Sequence, residues 1–183
     1  QRKNTGKVVL SLEDRETVDD LQDVASNNPV RPDGTYLVTG GTGSLGLHVA
    51  NWLSENGAGR VVLMSRRPPS TSVQLAIDKL CESGTQVTVC QADVSDLQLL
   101  TRNIQQIGQE GKPLRGVFHA AGTLADGILF DMDLAQWDEA FAPKFSGAWN
   151  LHLATLDHPL DFFVMFSSVA AVLGSPGQGN YAA

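Results

Sequence analysis

The sequence predicts a doubly wound α/β fold built on a parallel sheet, and three observations carry that prediction. Five apolar runs of strand length alternate with amphipathic helical stretches. The first run feeds directly into a glycine-rich loop that opens a helix. The residues able to do chemistry fall in or beside the loops that follow the runs, where such a sheet gathers its ligands.

The elements follow in order from Thr35. Strands are predicted at Tyr36–Thr39, Arg60–Met64, Gln86–Gln91, Gly116–His119 and Phe162–Ser167. Each is short, apolar and rich in β-branched or aromatic residues, as a strand covered on both faces requires. Helices are predicted at Gly43–Asn56, Ser72–Ser83, Leu97–Gln109 and roughly Leu134–Leu156. Residues 1–34 read differently. Lys7 to Leu12 suits a short strand and Glu13 to Asp23 an acidic helix, and a turn-rich stretch with Pro29, Pro32, Asp33 and Gly34 follows. Two segments are therefore expected: 1–34, the tail of a preceding domain plus linker, and a domain over 35–183.

Composition limits the function. The chain has 183 residues, 42% apolar and 18% charged, with net charge −7. Its pI is about 4.9, which argues against a nucleic-acid-binding surface. Cys81 and Cys90 are too few for a disulfide framework or a zinc site and read as free thiols of a reducing cytoplasm. No apolar run approaches the length of a membrane helix. His48, His119, His152 and His158 lack metal-ligand spacing, so no metal is expected and a structural role is expected for each.

The first loop, Gly40-Gly41-Thr42-Gly43-Ser44-Leu45-Gly46, contains G-x-G-x-x-G at Gly41, Gly43 and Gly46. Between a strand and a helix, this pattern lets backbone N–H groups approach a dinucleotide pyrophosphate. NAD enzymes place an acid about 20 positions on. Counting 20 from Gly46 reaches Arg66, in Met64-Ser65-Arg66-Arg67. A guanidinium suits a 2′-phosphate, so NADPH is expected; the alternative is a pair of solvated loop charges. Asp93 either accepts from an adenine amino group or caps the next helix.

Ser168 ends an apolar run, and Tyr181 follows it by 13 positions across a Gly-Ser-Pro-Gly-Gln-Gly loop. Hydride transfer to a carbonyl builds charge on oxygen and needs a proton donor and an orienting donor. Tyr181 and Ser168 supply that pair. A nearby ammonium favours phenolate, and Lys144 interrupts an apolar helical stripe of Trp137, Phe141, Ala148 and Leu151. Such a lysine either snorkels to the edge or has a buried role. Ser167-Ser168 lacks the G-x-S-x-G elbow of hydrolases.

With these residues in hand, the chain resembles the ketoreductase domains of modular type I polyketide synthases, in the short-chain dehydrogenase/reductase superfamily. The resemblance runs from about Asp33 to the last residue, over Thr39–Gly46, Val61–Arg66, Ala92-Asp93-Val94, Gly116–Gly122, Asn150-Leu151-His152 and Phe166–Ala183. It implies a Rossmann-like fold that reduces a β-ketoacyl thioester, carried on an acyl carrier protein, to the β-hydroxyacyl form with NADPH. It assigns Tyr181 as proton donor, Ser168 as carbonyl partner and Lys144 as catalytic lysine, 37 positions before the tyrosine. It also implies cofactor contacts from the Gly40–Gly46 loop, Ser65, Arg66, Asp93, Val94, Ala120, Ala121, Gly122 and Lys144.

The same resemblance bears on stereochemistry and neighbours. Leu124-Ala125-Asp126 keeps the last acid of the Leu-Asp-Asp pattern, and Leu173 stands where the opposite class has tryptophan, so the D-configured (B-type) hydroxyl is expected. For Asp126 the alternative is a helix cap or a loop charge. Ala183 replaces the proline of epimerising members. The asparagine expected four residues after the tyrosine would be position 185, and the last strands and the substrate lid would lie beyond it, so a fragment of a larger synthase is expected. Gly6–Leu10 resembles the closing strand of an enoylreductase domain, with a structural-subdomain tail as alternative. Two other readings compete: a stand-alone or extended short-chain reductase or epimerase, and a non-catalytic nucleotide-binding scaffold.

Overall fold

The computed structural model describes residues 29–109 and 111–183. The strand and helix expected within residues 1–28, and the likeness at Gly6–Leu10, lie outside the described residues.

β1 (Thr35–Thr39), β2 (Arg60–Ser65), β3 (Gln86–Gln91), β4 (Leu114–His119) and β5 (Phe162–Met165) form one parallel sheet in the order β3-β2-β1-β4-β5. α1 (Ser44–Glu55), α2 (Thr71–Glu82), α3 (Leu97–Gln109) and α4 (Leu134–Ala154) make the crossovers. Two single-turn helices, α5 (Ala170–Leu173) and α6 (Gly179–Ala182), end the chain. All five expected strands and all four expected long helices are present, with ends moved by a residue or two.

The central strand explains why the sheet is covered on both faces. Every residue of β1 is buried. Tyr36 and Val38 pack with Val49, Ala50, Leu53, Ile77 and Leu80 of α1 and α2. Leu37, between Val62 and Val117 in register, faces the other core with Leu100, Ile104, Ile107 and Leu151 of α3 and α4. Each fully buried side chain of this kind contributes roughly 1.5–3 kcal/mol. The outer strands β3 and β5 are only partly covered.

Two differences from the sequence reading have physical causes. β5 stops at Met165, not Ser167. Phe166 N–H still donates to His119 O at 3.1 Å, but the next carbonyl, Phe166 O, accepts from the Lys144 ammonium at 2.9 Å. On α4 the buried line is Ala140, Pro143, Gly147, Asn150 and Leu151. Of the expected stripe, Leu151 alone is fully buried. At Gly147 the helix runs too close to the loop after β3 for a side chain: a Cβ there would sit 2.6 Å from Val94 Cγ2. Trp137, Phe141 and Phe145 instead stack along the flank, with centroids 6.0 and 4.9 Å apart.

Candidate active site

The strand order reverses between β1 and β4, and a crevice at such a switch point is where an open α/β sheet binds its ligand. A cavity of about 390 Å³ opens there. Gly40, Thr42 and Gly43 line it from the first loop, Ser65 and Arg66 from the second, Asp93 and Val94 from the third, and Ala120, Ala121 and Gly122 from the fourth. Of the expected cofactor residues these ten thus meet in one place, while Gly41, Ser44, Leu45, Gly46 and Lys144 do not line the cavity.

The glycine loop is shaped by contacts that no side chain can share. Gly40 has φ of 66°, and a Cβ there would lie 2.7 Å from Ala120 O. A Cβ on Gly46 would strike Gly40 O and Gly41 Cα, so these two glycines let the start of α1 settle onto the loop. The N-cap residue Gly43 offers no side-chain acceptor, which leaves the N–H groups of the first turn for an anion.

Arg66 crosses the cavity mouth. Its guanidinium donates to Thr123 Oγ1 at 2.8 Å and stands 3.9 Å from Asp93 Oδ2. It is therefore not a freely solvated charge. Asp93 does not cap α3; Asp96 does, accepting from Leu99 N at 2.9 Å. The Asp93 carboxylate accepts from Ser95 N and Oγ through Oδ1 and turns Oδ2 toward Arg66.

Lys144 has a defined partner rather than a snorkelling end. Its stem lies against Gly122, where a Cβ would come within 2.8 Å of Lys144 Cε, and its ammonium donates to Phe166 O, two residues before Ser168. Burial pushes its pKa down. Ser168 Oγ accepts from Ala170 N at 3.1 Å at the start of α5, which leaves its own hydrogen to donate. Tyr181 stands half-buried in α6, which packs against α4 and α5. Ser168 and Tyr181 lie outside the cavity lining.

Sequence reasoning missed how the tyrosine segment is held. Asn180 is 2% exposed. Its Nδ2 donates to Ala125 O at 2.9 Å and Gln136 O at 3.0 Å, while Oδ1 accepts from Tyr181 N. Alongside, Gly127 N–H donates to Gly177 O at 2.7 Å, and Gln178 Nε2 donates to both Asp126 oxygens at 3.2 Å. Asp126 is thus neither a helix cap, a role Asp133 fills for α4, nor an isolated loop charge. Adjacency to Tyr181 was the only sequence signal for Asn180. Leu173 is exposed at the end of α5.

Among the described residues no cluster of His, Cys, Asp and Glu can hold a metal ion, and no helix is long and apolar enough to cross a membrane. Cys81 and Cys90 are free thiols, as expected.

Comparison with known proteins agrees with this geometry. Residues 34–183 match the family model "KR domain". The chain is 40% identical over 181 residues to a mycocerosic acid synthase-like polyketide synthase of Mycobacterium tuberculosis, covering 99% of this chain and 9% of that protein. It is 44% identical over 170 residues to polyketide synthase GfsA of Streptomyces halstedii, covering 92% and 2%. The chain therefore spans less than a tenth of the length of these relatives. Among solved structures, a ketoreductase from the macrolactin assembly line superposes with TM-score 0.80 at 35% identity, over 84% of this chain and 32% of that one. A-type ketoreductases from a modular polyketide synthase give 0.77 at 41%, over 81% and 32%. Sequence, sheet topology and relatives agree: the chain belongs to the KR-domain family, the ketoreductases of polyketide synthases.

Proposed function

We infer that this domain reduces a β-ketoacyl thioester, presented on the phosphopantetheine arm of an acyl carrier protein within a cytoplasmic synthase, to the β-hydroxyacyl form with NADPH. The observation that carries this reading is the cavity at the β1/β4 switch point. A glycine loop and an uncapped helix start face one end, Arg66 crosses the mouth, and the Lys144 stem lies behind Gly122 at the other side.

The donor set suits a phosphorylated dinucleotide. N–H groups at the start of α1 would take the pyrophosphate and Arg66, released from Thr123, the 2′-phosphate. Asp93 Oδ2 would accept from the adenine amino group, with Ser65, Val94, Ala120 and Ala121 as walls. The bound cofactor supplies the hydride. Ser168 Oγ donates to the substrate carbonyl oxygen and orients it. Tyr181 gives the proton that the oxygen acquires, and the Lys144 ammonium favours the phenolate left behind.

The D-configured hydroxyl is the finer part of the proposal. The Asp126–Gln178 contact supports it by placing the acid of the β4 loop beside the tyrosine loop. Because two similar structures are described as A-type and A1-type ketoreductases, chiral analysis of the product is the deciding measurement. The whole reading is tested by supplying the full-length protein with NADPH and a β-ketoacyl thioester. Loss of nicotinamide absorbance with formation of the hydroxyacyl product is expected. Tight NADPH binding without turnover would favour the scaffold reading.

A further inference from the structure

The support of the Lys144 ammonium converges on a residue that the chemistry above does not use, His119 at the end of β4. Its imidazole is 2% exposed and both ring nitrogens are engaged. Nε2 lies 2.9 Å from Pro143 O and Nδ1 lies 2.7 Å from Thr39 Oγ1. A carbonyl only accepts, so Nε2 carries the hydrogen, and Nδ1 accepts from the Thr39 hydroxyl. Thr39 Oγ1 in turn accepts from Ala121 N–H at 3.4 Å. Burial, and secondarily the charge of Lys144, hold the imidazole neutral, with its pKa pushed down to about 4 against the opposing bond to Pro143.

The backbone closes the circuit. His119 O accepts from Phe166 N, and Phe166 O accepts from the Lys144 ammonium. Pro143 immediately precedes Lys144 and has no N–H, so this turn of α4 lacks one internal hydrogen bond. The imidazole anchors that turn from outside. Gly147, one turn further, also faces the ring: a Cβ there would meet His119 Cε1 at 3.4 Å, an ordinary van der Waals contact. The side chain of His119 therefore holds the helix turn that carries the lysine, while its main chain pairs with the peptide at which the lysine points.

We propose that His119 is a positioning residue for Lys144, tying α4 at Pro143 and the Phe166 peptide to the end of β4. The proposal rests on the reductase reading of Lys144. In the full-length protein, His119→Phe keeps an aromatic ring but loses both bonds, while His119→Gln keeps one donor and one acceptor. His119→Phe is expected to lower kcat on the order of 100-fold, the scale of a misplaced reacting group. His119→Gln is expected to recover most of that loss. A folded His119→Phe protein with wild-type kcat, or failure of Gln to outperform Phe, overturns the proposal.

Two NMR measurements need no substrate and separate this proposal from the reductase reading. The Lys144 side-chain resonances should move in His119→Phe as the ammonium loses its fixed place against Phe166 O; unchanged resonances overturn the proposal. Nitrogen shifts of His119 in the wild type should show the Nε2–H tautomer, and the Nδ1–H tautomer overturns it even if neither variant folds. Absence of wild-type turnover would instead sink the reductase reading, with the NMR result still deciding the role of His119.

Discussion

The two halves of the site are held by different means. On the β1 side the wall is backbone: Gly40 and Gly46 are required because a Cβ would collide with main-chain atoms. On the tyrosine side, side-chain amides do the holding, with Asn180 gripping the carbonyls of Ala125 and Gln136 and Gln178 gripping Asp126. The backbone-built half forms a defined cavity, whereas the tyrosine half sits among exposed apolar residues such as Val169, Val172 and Leu173. A dinucleotide needs fixed N–H groups at a close approach. In the proposed function the exposed apolar side would take the acyl chain.

If the halves are chemically separate, changing one should leave the other working. Tyr181→Phe should lower kcat by about 10²–10⁴-fold while NADPH affinity, read by fluorescence titration, stays within about twofold. An equal loss of cofactor binding would merge the two halves and remove the acid role.

His119 stands between them, and its effect is read as stability against pH. An unfolded imidazole titrates near 6.5, and the folded one is held down to about 4. The unfolded chain therefore binds the extra proton between those values. Stability from this group is full above pH 6.5 and declines as pH falls toward 4, by up to roughly 3 kcal/mol. Urea midpoints at pH 7 and 4.5 check this; the fall should be smaller in His119→Gln, and an identical fall in both proteins contradicts it.

On the tyrosine side, Asn180→Ala leaves two carbonyls without their donor. The expected cost is about 1–3 kcal/mol, seen as a lower Tm, together with a reduced kcat and little change in NADPH affinity. A variant that weakens NADPH as much as kcat would show that the clamp serves both halves.

The smallest effect is expected at the cavity mouth. Arg66→Ala should weaken NADPH by about tenfold, or ~1.4 kcal/mol, and leave NADH nearly unchanged. Equal weakening of both cofactors would refute a contact to the 2′-phosphate.

Much of this was legible in the sequence. β1 is apolar at every position because helices cover both its faces, so its run reads as a buried strand without alternation. The glycine loop was legible because a backbone collision leaves one residue type at each such point. Arg66, which lines the cavity, stands out in the sequence by its distance from that loop, and Lys144, which bonds Phe166 O, as a charge among apolar residues. The stripe itself was displaced, because hydropathy does not record how closely a helix approaches its sheet. At Gly147 the approach is too close for any side chain.

The sequence by itself determined the alternation of strands and helices, the glycine-rich character of the first loop and the residue types available beside it. Each depends on local periodicity, on backbone sterics or on the chemistry of one side chain. Tertiary structure alone decided that Asn180 clamps the tyrosine segment and that His119 bonds to Thr39 and Pro143. The Asn180 and His119 contacts join residues 24 to 80 positions apart through polar atoms. A polar side chain has several possible partners, and only the packed fold selects among them.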